Sequence, residues 1–281
     1  MRPLRGLDPS LPLRALIFPS LALRALIGLS LALLVSGCAE QDKRPWIYRT
    51  PQQNYRTALE SQRGDERRDA VARIAESYYY DSSDAFAVLE TVARTDPVSQ
   101  IRCIAIRAFA NYKDDRPVTP LLTILQAQAG SDQALPADDD IRWETVRAQL
   151  ALTRRGVLKG DQRPLARDIL IKLLEADPSR NVRVVAAEAL GEFKDREVLV
   201  PLIRSLRNRD FAIAERAEWS LIALTGTTHD YDANAWEAWV ASTKNPFVHA
   251  GETPQTTRPA GPTWWDQQGR AWRRALKLQN E

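Results

Sequence analysis

Cysteine is nearly missing: Cys38 and Cys103 are the only two in 281 residues. That pair cannot build a disulfide-stapled fold or a cysteine-rich zinc site. Histidine is as scarce, with His229 and His249 alone. Glycine (12) and proline (17) are too few for collagen or a low-complexity chain. A surplus of charge of one sign is also lacking. The net charge of +3 resides in residues 1–37, where Arg2, Arg5, Arg14 and Arg24 face only Asp8. Removing that segment from the 39 basic and 36 acidic residues leaves 35 of each. A balanced body carries no electrostatic footprint for nucleic acid, so no nucleic-acid partner is expected. Strand-like alternation is not sustained anywhere. The longest uncharged apolar run, Ala25 to Val35, falls well short of the roughly 20 residues that a bilayer-spanning helix needs.

That run follows a basic flank and ends in small residues, the layout of an export signal. Val35-Ser36-Gly37-Cys38 resembles the lipobox of bacterial lipoproteins. The resemblance implies cleavage after Gly37 and acylation of Cys38, with palmitate-type chains. Two or three acyl chains anchor a protein stably, whereas one gives reversible binding. The expected location is therefore a membrane face outside the cytoplasm. Ala39, where some bacteria place an inner-membrane retention Asp, favours the periplasmic side of the outer membrane in a Gram-negative cell.

The body repeats itself at one constant offset. Asp96-Pro97 recurs as Asp177-Pro178, Ile101-Arg102 as Val182-Arg183, and Ala105, Ala108 and Phe109 as Ala186, Ala189 and Leu190. Pro120-Leu121-Leu122 and Leu125 recur as Pro201-Leu202-Ile203 and Leu206. Within each copy the apolar positions follow i, i+3, i+4, i+7, i+8, one face of an α-helix. Asp-Pro reads as a helix start, with Asp capping and Pro in the first turn. Further pairs are readable around these copies. Val71, Ile74, Ala75, Tyr78 and Tyr79 precede Ala85, Val88, Leu89 and Val92. Trp143, Val146, Leu150 and Ala151 precede Ala166, Ile169, Leu170 and Leu173; Ala217, Ser220, Leu221 and Leu224 precede Trp236, Trp239 and Val240. Five helix pairs are predicted, roughly 64–95, 96–131, 138–176, 177–208 and 209–243.

The pattern Asp-Pro, Val-Arg, Ala-Ala-x-Ala-Leu, Asp, Leu-x-x-Leu resembles HEAT repeats, closest to the short kind seen in phycobilin-lyase-type bacterial proteins. Leu224-Thr225-Gly226, Tyr231-Asp232 and Trp236-x-x-Trp239 are similar to a closing unit of such proteins. The resemblance implies an all-α, HEAT-like α-solenoid whose second helices, near 118–125, 165–174 and 198–206, line a concave surface that binds a protein or peptide. It also implies that Arg102, Arg142 and Arg183, which recur at nearly equal spacing, make ion pairs between neighbouring repeats. The organisation expected is a lipoprotein signal peptide over 1–37, a tether and N-terminal cap over 38–63, the solenoid over 64–243, a Pro/Thr/Gly linker over 244–263 and a Trp-rich basic helix over 264–281. In the cap, Thr50-Pro51 opens a short helix near 52–62.

Catalytic constellations are not found. No phosphate-cradling glycine loop or nucleophile elbow is present. His229 with Asp230 and Asp232 reads as loop polarity rather than a metal corner, and Asp138-Asp139-Asp140 as helix-capping acids without calcium-loop spacing. Cys103 reads as a packed thiol. No catalytic residue, metal site or cofactor is expected. In the last segment, Trp265, Trp272 and Leu276 share one helix side, with Trp264 adjacent and Arg270, Arg273, Arg274 and Lys277 supplying charge. That face suits a membrane interface or packing on the solenoid or a partner. The expected function is a membrane-tethered, non-enzymatic interaction scaffold. The alternatives are a lyase- or chaperone-like factor acting on a partner protein, and a structural envelope component touching membrane through the last helix.

Overall fold

A computed structural model describes residues 50–127 and 136–254. Cys38, the lipobox, Trp264, Trp265 and Trp272 lie outside the described residues. Among the described residues, eleven α-helices and no strands are present. Helix α1 is Pro51–Glu60. Five pairs follow: α2 Gly64–Glu76 with α3 Ser83–Thr95, then α4 Ser99–Phe109 with α5 Val118–Gln126. Next come α6 Asp139–Arg154 with α7 Gln162–Ala176, and α8 Arg180–Leu190 with α9 Leu199–Ser205, the latter entered through a 3-10 turn. Last is α10 Phe211–Thr225 with α11 Ala233–Ser242.

The helices stack in two layers. The first helices, α2, α4, α6, α8 and α10, each pack on the next along one layer; α1, α3, α5, α7, α9 and α11 form the other. The first helices approach one another more closely, because alanine lines their contacts: Ala105, Ala108, Ala186, Ala187, Ala189 and Ala217 are all buried. Fully buried Ile101, Phe109, Leu121, Val182, Leu190 and Leu202 fill the space between the layers. Burying each such large apolar side chain contributes about 2 kcal/mol.

Two features of the turns differ from the sequence expectation. Asp96 and Asp177 end the preceding helix instead of starting the next. Their N–H groups donate to Val92 and Leu173 O, and their carboxylates accept the N–H of Val98 and Ser179. The Pro that follows each Asp thus lies in the turn, and the next helix starts shortly after it. Those short turns join α3 to α4 and α7 to α8, and close-packed helix hairpins form across them. Tyr78, expected at a core position, is 93% exposed. Ser77 halts α2 by donating twice, from N–H and Oγ, to Ile74 O, so Tyr78 leaves the helical register.

The last pair closes the stack with a polar hub. Buried Glu218 accepts Trp236 Nε1 at 2.8 Å and Thr228 Oγ1 at 2.7 Å. Gly226 ends α10 with φ 67°, and a Cβ there would sit 2.3 Å from His249 O. Residues 244–254, expected to begin a linker, fold back on this end. Pro246 is buried, and Gly251 N–H donates to Ala223 O at 2.9 Å. Arg196 reaches the carbonyls of Val240, Thr243 and Lys244, which satisfies the free carbonyls at the end of α11.

Candidate interaction surface

The repeat arginines act through a duplicated junction. Arg142, on α6, grips Asp177 with two hydrogen bonds, Nε at 2.7 Å and a terminal nitrogen at 2.9 Å. Arg67, on α2, does the same to Asp96 at 2.8 and 3.2 Å. Arg102 and Arg183 hold the end of the preceding helix, and Arg102 also reaches forward to donate to Pro136 O at 3.0 Å. Their Nε atoms donate to Ala93 O and Leu174 O. Asp138, the acid that opens the next unit after Arg102, already accepts from Ser99 Oγ and the Ile141 N–H; Asp210, which opens the unit after Arg183, is taken by Arg180. Arg67 is the fourth residue of its helix, as Arg102, Arg142 and Arg183 are of theirs; the sequence reading missed it because Glu66 stands before it where Ile101, Ile141 and Val182 precede the others.

With those arginines built into the frame, the outward row of the first helices remains. Trp143 on α6 is partly buried, and the Arg147 guanidinium lies over its ring, 4.9 Å from the centroid. A depression of about 350 Å³ opens between α6 and α8, lined by Arg147, Leu150, Ala151, Arg154, Val185 and Glu188. A second, of about 220 Å³, continues past Trp143, Val184 and Arg180 to Ala212 and Arg216 on α10. Arg147, Val185 and Glu188 belong to both, so the two form one shallow furrow across three helices. It lies on the first helices, whereas the sequence reading places the binding face on the second.

The furrow is cationic with local neutralisation. Arg154 binds Glu192 at 2.7 Å and Glu188 at 3.1 Å, and those hydrogen bonds raise its pKa. Arg216 is 3.7 Å from Glu188. Among the described residues Arg147 has no acid within ion-pair distance, and Arg155 donates to the carbonyls of Ala110 and Tyr112. A cation on an indole face next to apolar Val184, Val185 and Leu150 suits an extended segment that offers an acidic or aromatic side chain.

The residues weighed for chemistry do not converge. Cys103, on α4, is partly buried, and burial pushes its thiol up to about 11. His229 packs edge-on against Trp236 at 4.7 Å and lies 6.0 Å from Trp239, with Nε2 buried and unpaired. Burial lowers its pKa. His249 faces Glu252 at 3.1 Å. Asp138 caps α6 through the Ile141 N–H, and Asp139 and Asp140 lie in the first turn. Among the described residues no group of three or more His, Cys, Asp and Glu is placed to hold a metal ion.

Paired helices in two layers, joined at Asp96 and again at Asp177 by a turn with the same hydrogen bonds, define an α-solenoid repeat protein. The family model for HEAT repeats matches residues 167–233, which span α7 to the start of α11. No curated protein matches the chain. Among solved structures, the chain is similar to computationally designed armadillo repeat proteins for modular peptide recognition, with 16% identity and a TM-score of 0.44 over 68% of this chain and 89% of that one. It is also similar to the designed armadillo repeat protein YIII(Dq)4CqI, with 17% identity and a TM-score of 0.46 over 70% of this chain and 94% of that one.

Proposed function

We propose that this protein is a non-enzymatic scaffold, lipid-anchored outside the cytoplasm through Cys38, that docks a protein segment along the furrow of its first helices. The observation that carries the docking surface is the Trp143–Arg147 pair beside the apolar strip of α8. Solvated helix faces pair their cations with acids, as Arg154 and Arg216 do here; Arg147 covers an aromatic ring instead. The anchor rests on the lipobox-like Val35-Ser36-Gly37-Cys38 after the short apolar run that starts at Ala25.

Two measurements test the two halves separately. Intact mass of the membrane-extracted protein should match residues 38–281 plus acyl chains, and Cys38→Ala should abolish that form. An uncut, unacylated mass rejects the anchor. A photo-crosslinking residue at position 147 should capture a defined partner in living cells, and Trp143→Ala should weaken the capture. Capture from position 165 or 200, on the second-helix layer, with none from 147 would move the docking face there.

A further inference from the structure

Helix α10 carries an outward stripe unlike those of its neighbours. Its exposed positions are Phe211, Glu215, Trp219 and Ala223, each one helical turn from the last, so they share one face. Phe211 is 65% exposed and Trp219 59%. Tyr231, 41% exposed, extends the patch, its ring 5.9 Å from that of Phe211. On the matching rows, Asp139 and Arg147 of α6 and Arg180 and Glu188 of α8 stand where α10 has Phe211 and Trp219. Two large aromatics on a surface helix next to a third mark a face built to be covered.

The chain itself supplies a cover. Gly251 N–H is bonded to Ala223 O, so residues 252–254 leave the described fold at the C-terminal end of this stripe. Beyond them lies the segment 255–281. Residues 255–263 reach up to roughly 30 Å when extended. Trp265 to Leu276 would span roughly 16 Å as a helix, against roughly 18 Å from Phe211 to Ala223. Charge agrees as well: Glu215 lies midway along the stripe, and Arg270, Arg273 and Arg274 accompany the tail's apolar side. We infer that residues 264–277 dock on α10 of their own chain, running antiparallel to it, with Trp265 and Trp272 against Trp219 and Phe211.

Timed trypsin digestion of the purified full chain, read by mass spectrometry, tests this, since Arg270, Arg273, Arg274 and Lys277 report on the tail. Cleavage there should be slow in the native protein and roughly tenfold or more faster in Phe211→Ala/Trp219→Ser, with a smaller gain in Glu215→Gln. Trp265→Ser/Trp272→Ser should give the same gain without altering the solenoid, which covers the case in which the α10 variant does not fold. The protection should be independent of protein concentration. Equal rates in native and variant chains overturn the inference. So does protection that appears only with phosphatidylglycerol-containing vesicles, which would assign the tail to lipid. Protection that grows with concentration also overturns it, since the cover would then be a second copy.

Discussion

Arg142 and Asp177, far apart in sequence, meet through two hydrogen bonds, while Asp177 also ends α7 and holds the first N–H of the next turn. One carboxylate thus ties three helices. Arg67 and Asp96 repeat the arrangement earlier in the stack. Both Asp side chains are at most 4% exposed, so the pairs are poorly screened by solvent.

Removing Asp177 leaves the Arg142 guanidinium with the Ala137 carbonyl but no anion, and takes the acceptor from the Ser179 N–H. Asp177→Ala should therefore cost about 3 kcal/mol in a urea melt. Arg142→Lys should cost less, about 1 kcal/mol, since an ammonium keeps the charge and loses the two-pronged geometry. Added salt should leave both differences nearly unchanged. An Asp177→Ala variant as stable as the native chain would show that the junction is held by apolar packing alone.

Gly226→Ala should destabilise the closing pair by about 2 kcal/mol or more, because a Cβ at φ 67° is strained and meets the backbone of residue 249. Hydrogen exchange localises the effect. Faster exchange confined to 223–252 is the expected result, with the core of α4 to α8 unaffected.

His229 gives the closing pair a pH dependence. Its folded pKa is held below the ordinary 6.5 by burial, so the unfolded chain takes up the proton first. Stability contributed by neutral His229 is complete above about 6.5 and falls as pH drops below it. The melting temperature should decline between pH 7 and pH 5, and His229→Gln should flatten that decline. The further losses near pH 4 should persist in the variant. They come from Asp114, whose pKa is lowered mainly by Arg116, and from Asp138, where desolvation, the largest single effect, is overcome by the Ser99 and Ile141 N–H hydrogen bonds together with the Arg102 and Arg142 charges.

Cys103 should alkylate slowly in the native state. With its thiol near 11, little thiolate exists at pH 8, and side-chain burial slows access further. Iodoacetamide labelling should lag that of the urea-unfolded chain by about a hundredfold. Comparable rates would mean that α4 opens locally on the labelling timescale.

The helices and their pairing were legible from local pattern. Apolar residues at helical spacing from Ile101 to Phe109, and again from Val182 to Leu190, can bury a face only as helices, and the constant offset between the two sets made them copies. The junctions were less so. Arg102, Arg142 and Arg183 recur with nearly equal spacing, yet Arg142 grips Asp177 with two hydrogen bonds while Arg102 and Arg183 bond carbonyls at the end of the preceding helix, Arg102 also reaching Pro136 O. Which acid is already occupied depends on Ser99 and Arg180, whose proximity to Asp138 and Asp210 arises only after the units stack.

The sequence by itself determined the α-class, the two-helix unit and the order of the pairs, because helix formation and amphipathic burial depend on residues within a few turns of one another. The tertiary structure alone decided which outward positions are covered by other segments and which stay open. It wrapped residues 244–254 across Gly226 and left Phe211 and Trp219 open on α10. Those outcomes depend on how adjacent units fit side by side, and that fit is set by side-chain volumes meeting across distances that no local periodicity encodes.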